Sequence, residues 1–215
     1  MRPGLLIIIS SPSGGGKTTL CNRLLQWDKN LTRVVTCTTR PPRPGEQHGV
    51  HYHFLSKEEF ERRIAAGHFL EHAEYNGHCY GTPRQFVEDV LRSGRDALLA
   101  IEVQGARQIT RLVRSGKFPY PDSLVTIFLF PPTLGLLEQR LRRRGQDDEQ
   151  TLQRRLQIAR QEIAYWREYD YTIVTGDIED DLMQAKAILI AEKCRTHRFP
   201  DGGQPWLQKE LLHWE

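Results

Sequence analysis

The feature that most constrains this chain is a glycine-rich segment at residues 11–18, Ser-Pro-Ser-Gly-Gly-Gly-Lys-Thr. It follows an unbroken leucine and isoleucine run at residues 5–9 and precedes a helical pattern over about residues 17–27. A run without polar residues is typical of a strand buried on both faces of a parallel sheet. Strand, glycine loop and helix in this order are the context that a phosphate-binding loop requires. The segment therefore predicts a P-loop α/β fold, in which a parallel sheet is flanked by helices.

Such a loop surrounds phosphate oxygens with backbone N–H groups, and the positive end of the following helix points at the same site. Lys17 is predicted to bridge the β- and γ-phosphates of a nucleoside triphosphate, and the Thr18 hydroxyl to ligate Mg²⁺. Ser11 stands where the full pattern begins with glycine, and it requires a negative φ there. A glycine-rich turn of no consequence is the alternative. The predicted nucleotide-binding residues are Ser13, Gly14, Gly15, Gly16, Lys17, Thr18 and Thr19.

Glu102 is the acid predicted to face the metal ion. It is the only acid in the apolar stretch at residues 97–102, which has the character of a central strand. An acid that faces a triphosphate needs Mg²⁺ between the two, since like charges otherwise repel. The alternative is a charge that caps the end of a strand. The eight histidines form no H-E-x-x-H motif and no Ser-His-Asp order, which argues against a zinc hydrolase or a catalytic triad.

Size and composition limit the other classes of protein to which the chain could belong. A chain of 215 residues suits one α/β domain, or a core with a small lobe. No apolar run approaches the ~18 residues that span a bilayer, so we expect no membrane partner. The net charge of +3 is too small to indicate nucleic-acid binding. Cys21, Cys37, Cys79 and Cys194 show no C-x-x-C spacing, which favours reduced thiols and a cytoplasmic location. We expect a monomer or a small homo-oligomer.

Further elements follow from periodicity and turn residues. A helix near residues 56–66 is predicted from Ser56 as N-cap with Glu59 reaching back. Asn76 and Gly77 predict a turn between strands at 69–75 and 78–80. Other strands are expected near residues 33–37, 51–55, 96–103, 124–130 and 171–174. Other helices are expected near residues 83–92, 105–115, 134–165 with an interruption at 145–148, and 180–195.

Four blocks resemble the guanylate kinases. They are residues 36–46, Thr-Cys-Thr-Thr-Arg-Pro-Pro-Arg-Pro-Gly-Glu; 49–54, Gly-Val-His-Tyr-His-Phe; 69–82, Phe-Leu-Glu-His-Ala-Glu-Tyr-Asn-Gly-His-Cys-Tyr-Gly-Thr; and 140–145, Arg-Leu-Arg-Arg-Arg-Gly. With the loop, they occur in the family's order over about residues 5–190. The resemblance implies transfer of the γ-phosphoryl group of ATP to GMP, and to dGMP, with Mg²⁺.

The resemblance also implies one domain over residues 1–196, with a core at about 1–35, 95–133 and 168–196, a GMP-binding lobe at 36–94 and a helical lid at 134–167. Residues 197–215 form a tail with no assigned role.

The resemblance also implies roles for individual residues at the acceptor side. Glu71 would accept the N1 and N2 hydrogens of guanine, a donor pair that adenine lacks. Thr36 and Thr82 would contact the base. Guanidinium and phenol donors suit a phosphate dianion, and those implied to hold the GMP phosphate are Arg40, Arg43, Tyr52 and Tyr80.

The implied catalytic residues are cations around the transferred group. Arg144 and Arg155 would descend from the lid, with Gly145 in its closing segment and Arg140 in the same cluster. Together with Lys17 and Arg43, Arg144 and Arg155 form the implied catalytic set.

Two departures from the family pattern bear on the nucleotide sites. Ala100 stands where the family commonly has an acid, and Glu102 where it usually has aspartate. Thr175 and Gly176 replace an Asn-Asp pair near the adenine site, so adenine contacts are expected to run through the backbone.

Two other functions compete with this interpretation. A related kinase could act on another phosphorylated acceptor, as the similar ribose bisphosphate phosphokinases do, but Tyr52, Glu71 and Tyr80 argue against it. A scaffold that binds peptides is the second alternative, because guanylate kinase-like domains also serve as interaction modules. Retention of Lys17 and the implied arginines favours an enzyme over a scaffold.

Overall fold

The computed structural model describes residues 2–75, 77–143 and 149–198. Its core is a five-stranded sheet made of β1 (Leu6–Ser10), β2 (Leu31–Arg33), β7 (Asp96–Ala100), β8 (Leu124–Phe130) and β9 (Tyr171–Val174). The strand order is β2-β7-β1-β8-β9, and every neighbouring pair is parallel. The predicted P-loop α/β fold with a parallel sheet flanked by helices is confirmed.

Helices cover both faces of this sheet. On one face, α1 (Lys17–Trp27) and α7 (Ile178–Lys193) pack against Ile7 and Ile9 of β1. On the other, α3 (Arg84–Arg92) and α4 (Val103–Arg114) pack against Leu6 and Ile8. Successive side chains of a strand point to opposite faces, so a strand covered on both sides must be apolar throughout. This explains the continuous apolar run before the loop.

A second, four-stranded sheet is built from β3 (Cys37–Thr38), β4 (His53–Phe54), β5 (Phe69–Tyr75) and β6 (His78–Pro83), in the order β4-β3-β6-β5. Its pairs are antiparallel except for β3 with β4. α2 (Lys57–Ala65) packs on it through Phe60, whose ring stacks on Phe69 with centroids 4.6 Å apart. The Ser56 hydroxyl accepts from the Glu59 N–H at 3.1 Å, so the predicted N-cap is confirmed. The Glu59 carboxylate, however, pairs forward with Arg62 and Arg63. The predicted turn residue Asn76 lies outside the described residues.

Two predicted strands differ from the structure. The strand expected at residues 33–37 is divided between the two sheets: the Val34 N–H donates to the Leu98 carbonyl of the core sheet at 3.0 Å. Two residues later, the Thr36 carbonyl accepts from the His53 N–H in the second sheet at 2.9 Å. The strand expected at 96–103 ends at Ala100, because the Glu102 carbonyl already accepts the first helical bond of α4. The chain therefore crosses from one sheet to the other within the strand predicted at residues 33–37. The start of α4 replaces the end of the strand predicted at residues 96–103.

The long helical pattern after residue 134 forms α5 (Leu134–Arg143) and α6 (Glu149–Ile163), which pack through Leu141, Leu152 and Leu156. Residues 144–148, where the interruption was predicted, lie outside the described residues. Short 3₁₀ segments lie at Pro121–Ser123, before β8, at Ala164–Glu168, after α6, and at Thr196–Arg198, after α7. Among the helices of residues 2–75, 77–143 and 149–198, none has the length and apolar character needed to cross a membrane.

α3 packs on the core sheet, although the sequence assigned its residues to the GMP-binding lobe. Val87, Val90 and Leu91 of this helix are buried in the core cluster. The predicted lobe boundary at residue 94 therefore encloses one helix that the core sheet holds in place.

Candidate active site

A cleft of about 480 Å³ lies where the loop after β1, the end of β7, the second sheet and α6 meet. Ligands of open α/β sheets bind at the carboxyl ends of parallel strands, and both core strands end here. Most predicted site residues line this one cleft: Ser13, Gly14, Gly15, Gly16, Lys17, Thr18, Thr19, Thr36, Arg40, Arg43, Tyr52, Glu71, Tyr80, Glu102 and Arg155. Arg144 lies outside the described residues.

The loop's conformation depends on its glycines. Gly14 (φ 89°) and Gly16 (φ 100°) adopt left-handed backbone that other residues avoid. Ser11, which replaces the usual first glycine, is fully buried, and its carbonyl accepts a bond across the loop. The two positions with left-handed backbone are therefore both glycine, and neither is Ser11. The replacement of the first glycine by Ser11 leaves these turns of the loop in place.

Lys17 connects the loop to the end of the neighbouring strand. Its ammonium donates to the Ser11 carbonyl at 2.6 Å and to the Glu102 carboxylate at 3.3 Å. In the part of the chain that the structure describes, Glu102 makes no capping bond to its own helix. The carboxylate that the sequence singled out is therefore directed to the phosphate loop, and a strand-end cap does not account for it.

Glu71 is buried in the wall of the cleft, with only 5% of its surface exposed. The Thr82 hydroxyl on the neighbouring strand donates to Glu71 Oε1 at 2.6 Å. Burial raises the pKa of Glu71 to about 7, against the lowering effect of the bonds from Thr82. Thr82 is fully buried behind Glu71 and does not line the cleft. Its predicted contact with a base stays a prediction, while its contact with Glu71 is direct.

Glu46 bonds to the side chain of Arg40 and to the backbone of Arg43, the two arginines of the predicted phosphate site. Arg40 donates from Nη2 to both Glu46 carboxylate oxygens at 2.9 Å, and the Arg43 N–H donates to the same carboxylate at 2.8 Å. The Arg40 guanidinium also lies 5.4 Å from the Tyr52 ring centroid, and the Tyr52 and Tyr80 rings meet edge to face at 6.0 Å. A carboxylate that accepts from a guanidinium through both of its oxygens restricts the orientation of the guanidinium. The sequence contained Glu46 in the motif but gave no reason to assign it this role.

A second cleft of about 380 Å³ lies on the other side of the loop glycines. Its walls include Leu20, Leu129 and Ile178, with Thr175 and Gly176 at the rim. The Gly176 N–H donates to the Asp181 carboxylate at 3.0 Å. Arg140 and Arg143 also line this cleft, whereas Arg155 lines the main one. Arg140 and Arg155 thus line two adjoining clefts that share the loop glycines, and the expected cluster of Arg140 with Arg155 stays a prediction.

Glu162 on α6 is a buried acid that the sequence did not single out. Only 8% of its surface is exposed, and its Oε2 has no hydrogen-bond partner among the described residues. Burial, together with the nearby Glu102 charge, raises the pKa of Glu162. The positive charge of Lys17 opposes this shift. An acid in a helix rich in polar residues gives no sequence signal for such burial.

Comparisons with known proteins agree with this geometry. The family model described as guanylate kinase matches residues 4–192. A guanylate kinase of Desulfitobacterium hafniense is 45% identical over 92% of this chain and 94% of its own length. One of Rhizobium etli is 46% identical over 92% of this chain and 86% of its own length. The crystal structure of guanylate kinase from Anaplasma phagocytophilum is similar with a TM-score of 0.75 and 36% identity, covering 92% of this chain and 90% of that chain.

Proposed function

This chain belongs to the guanylate kinase family and is a nucleoside monophosphate kinase that transfers the γ-phosphoryl group of ATP to GMP; we propose how its residues divide that work. The observation that carries the proposal is a single cleft lined both by Lys17 of the phosphate loop and by Glu71 of the second sheet. Donor and acceptor sites that share one cleft can bring the γ-phosphate and the GMP phosphate together. Such positioning, with cations around the transferred group, is the main requirement of phosphoryl transfer.

The loop holds the donor phosphates. Backbone N–H groups of Ser13, Gly14, Gly16 and Thr19 bind phosphate oxygens, and Lys17 neutralises charge on the β- and γ-phosphates. The Gly15 N–H donates to the Pro12 carbonyl at 2.9 Å and so supports the loop itself. The second cleft, which adjoins the same glycines, accepts the adenosine part of ATP. Its leucine and isoleucine side chains offer apolar contact to a base. The Thr175 and Gly176 N–H groups already donate to Phe130 and Asp181, so the backbone here offers carbonyl oxygens as acceptors to the base.

The second sheet holds the acceptor. Glu71 accepts the N1 and N2 hydrogens of guanine, with Thr36 and Thr82 beside it. Arg40, Arg43, Tyr52 and Tyr80 bind the GMP phosphate, in an orientation supported by the Glu46 carboxylate. The resemblance to the guanylate kinases extends the proposed acceptors to dGMP.

Arg155 supplies positive charge to the transferred group from α6, and its position in the main cleft supports this role. Arg144, its proposed companion, lies outside the described residues. We retain residues 134–167 as a lid that covers the reacting groups and excludes water. Residues 36–94 form the acceptor lobe, on a core formed by the rest of the chain up to residue 196.

Mg²⁺ fits the donor set beside the loop. Within the described residues, no group of three or more His, Cys, Asp or Glu side chains could hold a metal by itself. One carboxylate, from Glu102, and one hydroxyl, from Thr18, are instead available where the triphosphate lies. Mg²⁺ prefers this arrangement, in which protein oxygens are few and substrate phosphates and water complete the shell. When bound, the ion reduces the negative charge of the triphosphate.

Replacing Glu102 with Gln tests this assignment. We expect the Mg²⁺ concentration for half-maximal rate to rise by about tenfold or more, because a neutral amide is a weaker ligand for a hard cation. The measurement is a Mg²⁺ titration of initial rate at fixed ATP and GMP, with Glu61→Gln on exposed α2 as the control. Unchanged Mg²⁺ dependence would refute the role of Glu102.

The raised pKa of Glu71 predicts a pH dependence of GMP use. Below its pKa of about 7 this carboxyl is protonated, and a protonated acid cannot accept both guanine hydrogens. We therefore expect kcat/KM for GMP to fall by about tenfold per pH unit below pH 7 and to level off above it. The GMP phosphate itself titrates near about pH 6. A Glu71→Gln enzyme should keep only that lower step, and retention of the step near pH 7 would contradict the assignment.

ATP and GMP are the small-molecule partners, and a cytoplasmic location is proposed. Cys21, Cys37, Cys79 and Cys194, all among the described residues, are free thiols, which is usual in a reducing compartment. The oligomeric state, a monomer or a small homo-oligomer, stays a prediction.

A further inference from the structure

α4 covers the edge strand that carries Glu71. Among the described residues, β5 pairs with β6 alone in its sheet, so the backbone groups on its outer side have no described strand to bond to. At His72, the residue after Glu71, the Gln108 side-chain N–H donates to the carbonyl at 2.8 Å. The same amide accepts from the His72 N–H through Oε1 at 3.3 Å. Gln108 thus replaces a neighbouring strand at this one residue.

Gly105 lies three residues before Gln108 and therefore on the same face of α4. A Cβ atom at Gly105 would lie 2.6 Å from Glu71 Oε2 and 2.9 Å from Glu71 Cδ. A Cβ atom does not approach a side-chain carbon or oxygen this closely, so any side chain here forces a movement. Glycine is less favourable than alanine inside a helix. The space that Glu71 needs is a sufficient reason for glycine at this position.

α4 has little room to move away from this contact. Its Ala106 and Ile109 side chains are buried in the core cluster beneath the sheet, with at most 1% of their surfaces exposed. Glu71 Oε1 accepts from the Thr82 hydroxyl, whereas Oε2 is the atom nearest the added Cβ. A methyl group at Gly105 would therefore act mainly on the terminal atoms of Glu71.

We propose that Gly105 and Gln108 form a positioning face on α4 that fixes the Glu71 carboxylate for recognition of the guanine edge. The inference rests on the proposed function of Glu71 and adds the two residues that set its depth and direction. Gly105 leaves the carboxylate its space, and Gln108 fixes the backbone of the strand that carries it. Gly105 lines the main cleft beside Glu71, whereas Gln108 does not line it, and both determine specificity through Glu71.

Gly105→Ala is the first test. We expect KM for GMP to rise about tenfold or more while KM for ATP stays within about twofold, because a displacement near 1 Å disrupts a positioned contact. The ratio of kcat/KM for GMP to that for IMP should also fall, since IMP lacks the 2-amino donor. Arg111→Ala is the control: this residue lies at an exposed position of the same helix and lines neither the main cleft nor the second one. A GMP-to-IMP ratio equal to that of the unaltered enzyme overturns the proposal.

Gln108→Met is the second test, because it removes both bonds to His72 at similar side-chain length. We expect KM for GMP to rise by about threefold to tenfold, and no rise for Gln85→Met, which removes an amide bonded to Asp89 on α3. An unchanged KM in Gln108→Met overturns the role of Gln108.

If Gly105→Ala does not fold, Glu71→Asp is added in the same chain to shorten the acid by one methylene. Recovered thermal stability supports the contact, and no recovery overturns it.

Glu71→Gln, measured in parallel, separates the two levels of inference. If this variant keeps the KM of the unaltered enzyme for GMP, the proposed function of Glu71 fails, and the positioning face with it. If it raises KM while both α4 variants do not, only the positioning face fails.

Discussion

Lys17→Ala is expected to lower kcat by about a thousandfold or more, which corresponds to about 4 kcal/mol of lost transition-state stabilisation. The reason is electrostatic: the ammonium stands between the loop and Glu102, where the β- and γ-phosphates are proposed to bind. Charge on these phosphates must be balanced as the γ-phosphoryl group leaves. The measurement is kcat in a coupled assay of ADP formation, at saturating ATP and GMP.

GMP binding separates this effect from a loss of structure. Lys17 also donates to the Ser11 carbonyl, so its removal could loosen the loop. We expect the Kd of GMP to change by no more than about twofold, because the acceptor residues lie on the second sheet. Lys117→Ala, on an exposed position outside both clefts, is the control. Turnover that survives in Lys17→Ala at more than about a tenth of the original value would refute the assigned role.

Glu71→Gln is expected to lower kcat/KM for GMP by about a hundredfold to a thousandfold. The buried carboxylate offers two acceptor oxygens, whereas an amide offers one acceptor and a donor that opposes the guanine hydrogens. Polar groups left unpaired in a desolvated site carry a large penalty. AMP, which lacks the donor pair, should show no comparable loss. Parallel measurement of kcat/KM for the two nucleotides checks both expectations.

The matched control for this substitution is Glu74→Gln. Glu74 lies on the same strand but is exposed, and it does not line the main cleft. It should keep the kcat/KM of the unaltered enzyme for GMP. If Glu71→Gln also kept it, guanine would have to be recognised by other groups, and the assignment of the acceptor site would be wrong.

Local sequence signals predicted the elements whose cause is local. The apolar run of β1, the N-cap at Ser56 and the strand at residues 171–174 were all found as expected. The predicted strand at residues 33–37 failed for a tertiary reason. There the chain leaves one sheet after Val34 and joins another at Thr36, and no turn residue marks the crossing. The predicted strand end at residue 103 was wrong because an apolar residue such as Val103 fits a buried strand and the buried start of a helix equally well.

The candidate site shows the same distinction between local and tertiary causes. Residues with a chemical signature, such as Lys17 and Glu71, were identified from the sequence and are brought into one cleft. Residues that act by positioning such side chains were not identified from the sequence. Glu46 matters because it forks to Arg40, and Gly105 because a Cβ there would strike Glu71. Both relations depend on tertiary distances between segments, and sequence spacing carries no signal for them.

The most direct test of the account is a panel of acceptors at fixed ATP and Mg²⁺, with kcat/KM measured for GMP, dGMP, AMP, UMP and a sugar phosphate. The account predicts the highest value for GMP, a substantial value for dGMP, and values at least about a hundredfold lower for the others, because only guanine presents both hydrogens to Glu71. Equal use of AMP and GMP by the folded protein, or no ADP formation that depends on GMP, would contradict it.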